Sequence, residues 1–537
     1  MTAADPGAWR RLDRRMLLIH PIQEIPRALP ALLAAFVAGN GSGQGLIWSA
    51  GALAITLAFA FSRWFTTRYR LTDDRAEVSS GLFRRRVRAV SRDRIRTVDV
   101  TARAMHRLLG LARVEIGTGR SDREEGGGVR LDGLTAAEAA ALREELLHRP
   151  RQASPAEAAA APDAPTSAPA EAPETELARL DPSWVRYAPF TLSGVVSVGV
   201  VVGFLLNIAN EANFDLERWG PARHLADRLG HAPVGIAAAA LALLALAAVV
   251  VASTVGYALA FWDFRLTRHR GGTLHVSRGL ITTRATTIEE RRLHGAEISE
   301  PLLLRMVAGA RLIAIATGLR VGRGAERGGS LLVPPAPRAE VQRVAAEVIG
   351  TAEPLTCPLV AHGPRARARR YTRALAGWAL LAAALAIGHW AIGGPWWLAV
   401  LALALLPIVL LLAADRYRNL GHAVSRGRLV AAGGSLIRRR SAVAAEGIIG
   451  WNVERSFFQR RAGLATLTAT TAAGEQHYDV QDVEIGEALR VAEELLPGLA
   501  EPFLERRPER AGPRVRRRRA PPAAPPGAGP PGRRTRA

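Results

Sequence analysis

Hydrophobic positions along the chain fall into paired runs, and between the pairs lie stretches in which apolar and polar residues alternate. Six runs read as membrane helices, since a span needs about 20 mostly apolar residues. They cover residues 25–39, 46–65, 188–209, 234–262, 374–392 and 396–414. The first is short and carries Pro26, Arg27 and Pro30 near its start, which also fits a tilted or re-entrant segment. Each pair is followed by a related anchor: Tyr69-Arg70-Leu71-Thr72, Phe264-Arg265-Leu266-Thr267 and Tyr417-Arg418-Asn419-Leu420. A unit of apolar pair, Arg-rich strand-like stretch and helical ending therefore occurs three times, which predicts a tandem architecture rather than one large globular domain.

Within the first polar stretch, 71–79 and 82–90 read as strands around Ser80-Gly81, 94–100 supplies another, and 111–118 alternates as a strand with one buried face should. Thr135 stands three residues before Glu138, a capping box that opens a helix to Leu147. The third stretch repeats this order, with strands at 423–430, 435–443 and 464–471 and a helix over 485–496. The second ends in a helix over 338–349. The domain organisation predicted is an N-terminal segment with the first apolar pair (1–65), a β-rich unit (66–149), a disordered Ala/Pro-rich linker (150–180), a second pair (181–262) and a second unit (263–350). A linker with the third pair (351–414), a third unit (415–499) and a disordered basic, Pro-rich tail (500–537) complete it.

Composition sharpens the membrane reading. Apolar residues make up 49% of the 537 residues, and the formal net charge of +23 is carried by Arg because the sequence contains no Lys. Arginines cluster beside the runs: Arg10, Arg11, Arg14 and Arg15 before the first, Arg63, Arg68 and Arg70 around the second, Arg365, Arg367, Arg369 and Arg370 before the fifth, and Arg416 and Arg418 after the sixth. The connections at 40–45 and 393–395 carry no charge. By the positive-inside rule, both termini and all three polar units are expected in the cytoplasm of a multi-pass cell-membrane protein. No cleavable signal peptide is expected, and the single cysteine, Cys357, excludes an intrachain disulfide framework.

Arg94-Ile95-Arg96-Thr97-Val98 followed by His106-Arg107-Leu108-Leu109-Gly110-Leu111-Ala112 resembles the bacterial pleckstrin-homology-like, membrane-flanked family of the multi-repeat YdbT-like type. Phe458-Gln459-Arg460-Arg461-Ala462-Gly463-Leu464-Ala465 repeats the second element, and Leu304-Arg305-Met306-Val307-Ala308-Gly309-Ala310 is its more divergent copy. The likeness runs from about Arg15 to Leu496. It implies a multi-pass α-helical membrane protein with three β-rich, pleckstrin-homology-like (PH-like) cytoplasmic domains, each closed by a C-terminal helix.

Two sets of residues stand out within that frame. Gly110, Gly309 and Gly463 each precede a strand, where a tight turn favours a residue without Cβ. Arg107, Arg305 and Arg460, three or four residues earlier, either bond carbonyls or carboxylates at that corner or face lipid headgroups. Arg84, Arg85, Arg86 and Arg88, with Arg438, Arg439 and Arg440, lie on strands tethered near the membrane and are candidates for contact with an anionic inner leaflet. Arg516, Arg517, Arg518 and Arg519 in the tail are further candidates. A solvated basic face is the alternative for these clusters.

Catalytic constellations are not apparent. Asp73-Asp74 and Glu289-Glu290 are adjacent pairs whose side chains would diverge on a strand. The 12 histidines are scattered without metal-ligand spacing. No metal or cofactor is expected, and nucleic acid is disfavoured as a partner because aromatic residues do not interleave with the basic strands. The expected role is non-enzymatic: PH-like modules that bind membrane lipids, protein partners or further copies of the chain, in envelope integrity or resistance to membrane-active agents. The alternative is a transporter or export accessory component, disfavoured because the predicted spans lack internal acidic or basic residues.

Overall fold

Short turns and helix caps divide the polar stretches into strands, and one order of elements occurs three times. The computed structural model describes residues 9–19, 45–72, 74–81, 85–91, 95, 97–117, 128–147, 175–191, 199, 203, 231, 233–269, 271–319 and 329–498. The predicted span at 25–39, nearly all of that at 188–209, Arg84, the linker up to 174 and the tail with Arg516–Arg519 lie outside the described residues.

The first repeat comprises β1 (Arg10–Arg11), α1 (Gly45–Thr66), β2 (Arg68–Leu71), β3 (Arg75–Ser80), β4 (Arg86–Ser91), β5 (Thr97–Ala102), α2 (Ala104–Leu108), β6 (Leu111–Gly117), β7 (Gly128–Thr135) and α3 (Ala136–Leu147). The second contains β8 (Thr175–Arg179), α4 (Val234–Phe261), β9 (Arg265–His269), β10 (Thr273–Arg278), β11 (Thr283–Glu289), β12 (Leu293–Pro301), α5 (Leu302–Met306), β13 (Gly309–Ala316), β14 (Leu331–Pro337) and α6 (Arg338–Ile349). The third follows α7 (Glu353–Thr356) with α8 (Gly363–Ile392), α9 (Trp397–Ala404), α10 (Leu406–Arg418), β15 (Gly421–Ser425), β16 (Arg428–Gly433), β17 (Ile437–Ala444), β18 (Ile448–Glu454), α11 (Phe457–Ala462), β19 (Leu464–Thr471), β20 (His477–Glu484) and α12 (Ile485–Leu495). The expected linker thus ends earlier than 180, because β8 pairs antiparallel with β9.

Local sequence explains the closing helices. The Thr135 hydroxyl accepts from the Glu138 N–H at 3.2 Å and the Glu138 carboxylate accepts from the Thr135 N–H at 3.0 Å, completing the expected capping box. In α6, Val341, Val344, Ala345 and Val348 recur at helical spacing and are all buried against the sheet. In α12, Ala488, Val491, Ala492 and Leu495 do the same. Pro407, which has no N–H to donate, stands at the start of α10 and breaks the last apolar run into α9 and α10.

The sheets cut across the repeats. One four-stranded sheet runs β1-β2-β3-β4, then a seven-stranded sheet β7-β6-β5-β11-β10-β9-β8, a six-stranded sheet β14-β13-β12-β17-β16-β15, and a three-stranded sheet β18-β19-β20. Each repeat is therefore split. Its second trio of strands joins the first trio of the next repeat, β5 antiparallel to β11 and β12 antiparallel to β17. This differs from three self-contained β modules, and the buried core follows the shared sheets. Leu274, Ile288 and Leu312 of the second repeat belong to one cluster with Val430 and Ala442 of the third.

Three helices, Val234–Phe261, Gly363–Ile392 and the α9–α10 run Trp397–Arg418, are long and apolar enough to cross a membrane. The connections out of them are short: β9 starts four residues after the end of α4, at Arg265, and β15 starts at Gly421, just beyond Arg418. The strands must then sit against the ends of these helices.

Candidate membrane-proximal binding rim

Turns of the strand meanders are bonded to the helix ends. In the second repeat the Gly279 N–H donates to Trp262 O at 2.8 Å, and Leu280 N–H to Leu259 O at 2.9 Å. In the third, the Asn419 side-chain amide donates to Gly434 O at 3.2 Å, just past the end of α10. Both turns demand glycine. Gly279 has φ +108° and an added Cβ would lie 2.1 Å from Thr282 O, while Gly434 has φ +95° and its Cβ would lie 1.9 Å from Ile437 O. Gly81, at φ +122°, holds the same place in the first repeat.

Beside the turns of the second and third repeats stands the short helix of the preceding repeat. α2 ends in Gly110 at φ +69° and α11 in Gly463 at φ +71°, both left-handed. In the second repeat this position is Ala308 at φ +55°, not Gly309 as its sequence position suggests. Hydrogen bonds settle the equivalence: Gly110 N–H donates to Arg107 O, Ala308 N–H to Arg305 O and Gly463 N–H to Arg460 O, at 3.0 to 3.3 Å. Gly309 instead opens β13 and is small because a Cβ there would lie 2.7 Å from Leu304 and Tyr187.

The motif arginines join repeats. The Arg107 guanidinium donates to the Leu280 carbonyl in the next repeat's turn. Arg305 reaches Ser435 O and Asp415 Oδ2, each at 3.4 Å, and the Leu302 N–H donates to Leu436 O at 2.7 Å. Leu280 and Ser435 each follow the turn glycine directly, so the two contacts are equivalent. Of the two roles open for these residues, carbonyl bonding is the one that Arg107 and Arg305 fill. No repeat follows Arg460 within the sequence; its side chain is exposed and makes no hydrogen bond or ion pair among the described residues.

The same corners present bare apolar side chains. Leu108 is 80% exposed, Met306 75% and Phe458 72%, and Ile281 and Leu436 on the turns are exposed as well. Exposed Arg365, Arg367, Arg416, Arg418 and Arg461 lie around the helix ends or on α11. Exposed apolar tips with arginines nearby, at the level where apolar helices give way to strands, make a surface suited to an interface between hydrocarbon and charged headgroups.

Residues 26–150 and 375–498 each match the family model described as Bacterial PH domain. Those two segments are PH-like domains. They span the apolar segments and strands of the first and third repeats. Neither the curated proteins nor the solved structures compared with the chain gave a match.

In the third repeat, the arginines expected to face the leaflet also bond within the protein. β17 is central in its sheet, between β12 and β16. Arg438 pairs with Asp415, Arg439 with Glu475, and Arg440 donates to the carbonyls of Pro354 at 3.2 Å and Cys357 at 2.6 Å. These pairings hold Arg438–Arg440 half-buried, with Arg439 more exposed than Arg438. In the first PH-like domain, β4 is an edge strand and Arg88 on it is exposed, while Arg85 donates to Ser79 Oγ at 2.8 Å.

A buried titratable chain also ties the base of α8 to the strands of the third repeat. His362, just before α8, contacts Gln481 O at 2.8 Å through Nδ1 and His422 Nδ1 at 2.9 Å through Nε2. His422 Nε2 lies 3.2 Å from Glu487 Oε1. Alongside, Asp482 takes Arg369 at 2.8 Å, Arg370 at 3.0 Å and the Gln459 amide at 2.9 Å. Burial, with the adjacent His422, pushes the His362 imidazole down to about 4. Burial also lowers His422, against the opposing pull of Glu487. These two histidines stand 60 positions apart, and sequence spacing gave no sign of their pairing. Among the described residues no cluster of His, Cys, Asp or Glu is arranged to hold a metal ion.

Proposed function

We propose that the chain is a non-enzymatic membrane scaffold in which the second repeat is a third PH-like domain, and in which all three present a cytosolic surface for lipid headgroups or protein partners. The observation that supports this reading is the rim, where exposed Leu108 and Met306 stand beside turns bonded to the ends of apolar helices and exposed Phe458 holds the equivalent place on α11. Apolar tips seated at the headgroup level bury their area while neighbouring arginines remain in the polar layer and meet anionic lipid, each worth on the order of 1 kcal/mol. Exposed Arg88 on β4 is the basic-strand residue that fits this role, in place of the internally paired Arg438–Arg440. The physiological setting of such a scaffold is the integrity of the envelope.

The test places an environment-sensitive fluorophore on Leu108→Cys or Phe458→Cys in the full chain, with Cys357→Ser, reconstituted in bilayer discs. Blue-shifted emission, quenched by lipids labelled near the headgroup and stronger in anionic than zwitterionic discs, is expected. Water-like emission in both lipids at both positions refutes the reading.

A further inference from the structure

Among the edge strands of the described sheets, β18 and β4 are the two that the repeat pattern would join. β5 pairs with β11 and β12 with β17, so the second trio of each repeat is completed by the first trio of its successor. Within the 537 residues no repeat follows the third, and β18 is an edge of its sheet among the described residues; none precedes the first, and β4 is likewise an edge of its own. We propose that β18 of one chain pairs antiparallel with β4 of a second copy, and that Arg460 of the first chain donates to the turn at Gly81 of the second.

The internal seams supply the register. Hairpin partners Arg75 and Ser91, Thr273 and Glu289, and Arg428 and Ala444 align β4 with β11 and β17. The pairs Val98 with Ile116, Ala296 with Ala314, and Trp451 with Ala469 align β18 with β5 and β12. In the seams Val98 faces Thr287 and Ala296 faces Ala442, each two residues before the aligned end of the partner strand. The third seam then sets Trp451 opposite Ala89, Asn452 opposite Arg88 and Val453 opposite Val87.

Side chains at the open edges have the character of an uncovered interface. Val87 is 55% exposed and Val453 39%, whereas Ile298, which holds the place of Val453 in the second seam, is 4% exposed. Arg460 points the same way independently. Arg107 and Arg305 both bond the carbonyl that follows the turn glycine of the next repeat, and Arg460 on the last repeat is exposed and unbonded among the described residues. The chain itself does not join β18 to β4, so the geometry is head-to-tail, and a second copy brings the missing turn and edge together. This inference does not rest on lipid binding.

The test uses the full chain with Cys357→Ser, so that no native thiol competes. One tagged copy carries Val87→Cys and a differently tagged copy carries Val453→Cys; they are produced together in membranes and oxidised with copper phenanthroline. A covalent dimer bearing both tags is expected, with a yield that falls about tenfold when Arg460→Glu is added to the Val453→Cys copy, the scale of one lost charge-assisted bond. Both cysteine sites are exposed, and unchanged thermal unfolding of each copy shows that the fold is intact before the cross-link is read. Failure of the mixed-tag dimer to form overturns the proposal. So does a cross-linked monomer of altered mobility from a chain carrying both cysteines, since it shows that the edges close within one molecule.

Discussion

The guanidinium group of Arg107 is bonded to the backbone carbonyl of Leu280, a residue of the following repeat, and Arg305 holds the same relation to Ser435. A side chain that recurs at one place in each repeat thus serves the junction and not the repeat that carries it. Replacing Arg305 by Ala should lower stability by about 1–3 kcal/mol, because a charged donor is removed from Ser435 O and Asp415 is left with one arginine fewer. Arg460→Ala should change monomer stability by under about 0.5 kcal/mol, as expected of an exposed residue without partners. Thermal unfolding of the two variants in one detergent compares them, and equal losses would contradict the seam role.

Glycine replacements should rank by what each Cβ meets. Gly434→Ala combines φ +95° with a Cβ 1.9 Å from Ile437 O, so it should cost about 1–3 kcal/mol and detach the turn from the end of α10. Gly110→Ala has the milder φ of +69° and its nearest neighbour, Arg15, at 3.6 Å, so roughly 1 kcal/mol is expected. Ala308, at φ +55°, already shows that alanine fits that site in the second repeat. Melting temperatures that place Gly110→Ala below Gly434→Ala would reverse the argument.

Acid should loosen the contact between α8 and the strands of the third repeat. His362 and His422 both have folded-state values below the ordinary 6.5, so the unfolded chain takes up protons first. The stability they contribute is present above about pH 6.5 and is lost as pH falls toward 4. The loss should be on the order of 1–3 kcal/mol. His362→Gln, which cannot protonate, should flatten the dependence of unfolding temperature on pH between 7 and 5. An unchanged slope would show that this pair is not the titrating element.

Cys357 tests the orientation expected from the arginine distribution. It lies half-buried between α7 and α8, next to Arg440, at 3.3 Å from its guanidinium. An impermeant thiol reagent should label it slowly, and only after cells are lysed or membranes inverted. Labelling in intact cells would place the β units on the outer side.

The parts of this architecture that are written locally could be read from residue order. The Thr135–Glu138 capping box and the helix at 338–349 depend on neighbours three or four positions apart, and both occur where the sequence put them. The partner of β5 could not be read in this way. Thr97–Ala102 alternates as a strand would, but nothing within it says that β11 will cover it. The protein partners of Arg438–Arg440 are hidden from the sequence for the same reason: an Arg-rich strand looks unpaired until its place between β12 and β16 is known. Residue type points to Gly309 as the left-handed position, whereas the hydrogen bond from Ala308 N–H to Arg305 O defines it as Ala308.

The shared sheets also set an order in time. Thr283 on β11 lies 181 residues beyond Ala102 on β5, its partner in register. At a synthesis rate of about 5–20 residues per second, β5 leaves the ribosome roughly ten seconds or more before the strand that covers it exists. During that interval the nascent chain carries a bare edge beside newly made apolar helices, open to mispairing with any other strand nearby. Slow passage through the second apolar pair, or a chaperone that shields β5, therefore bears directly on whether the first two repeats join each other or a neighbouring nascent chain.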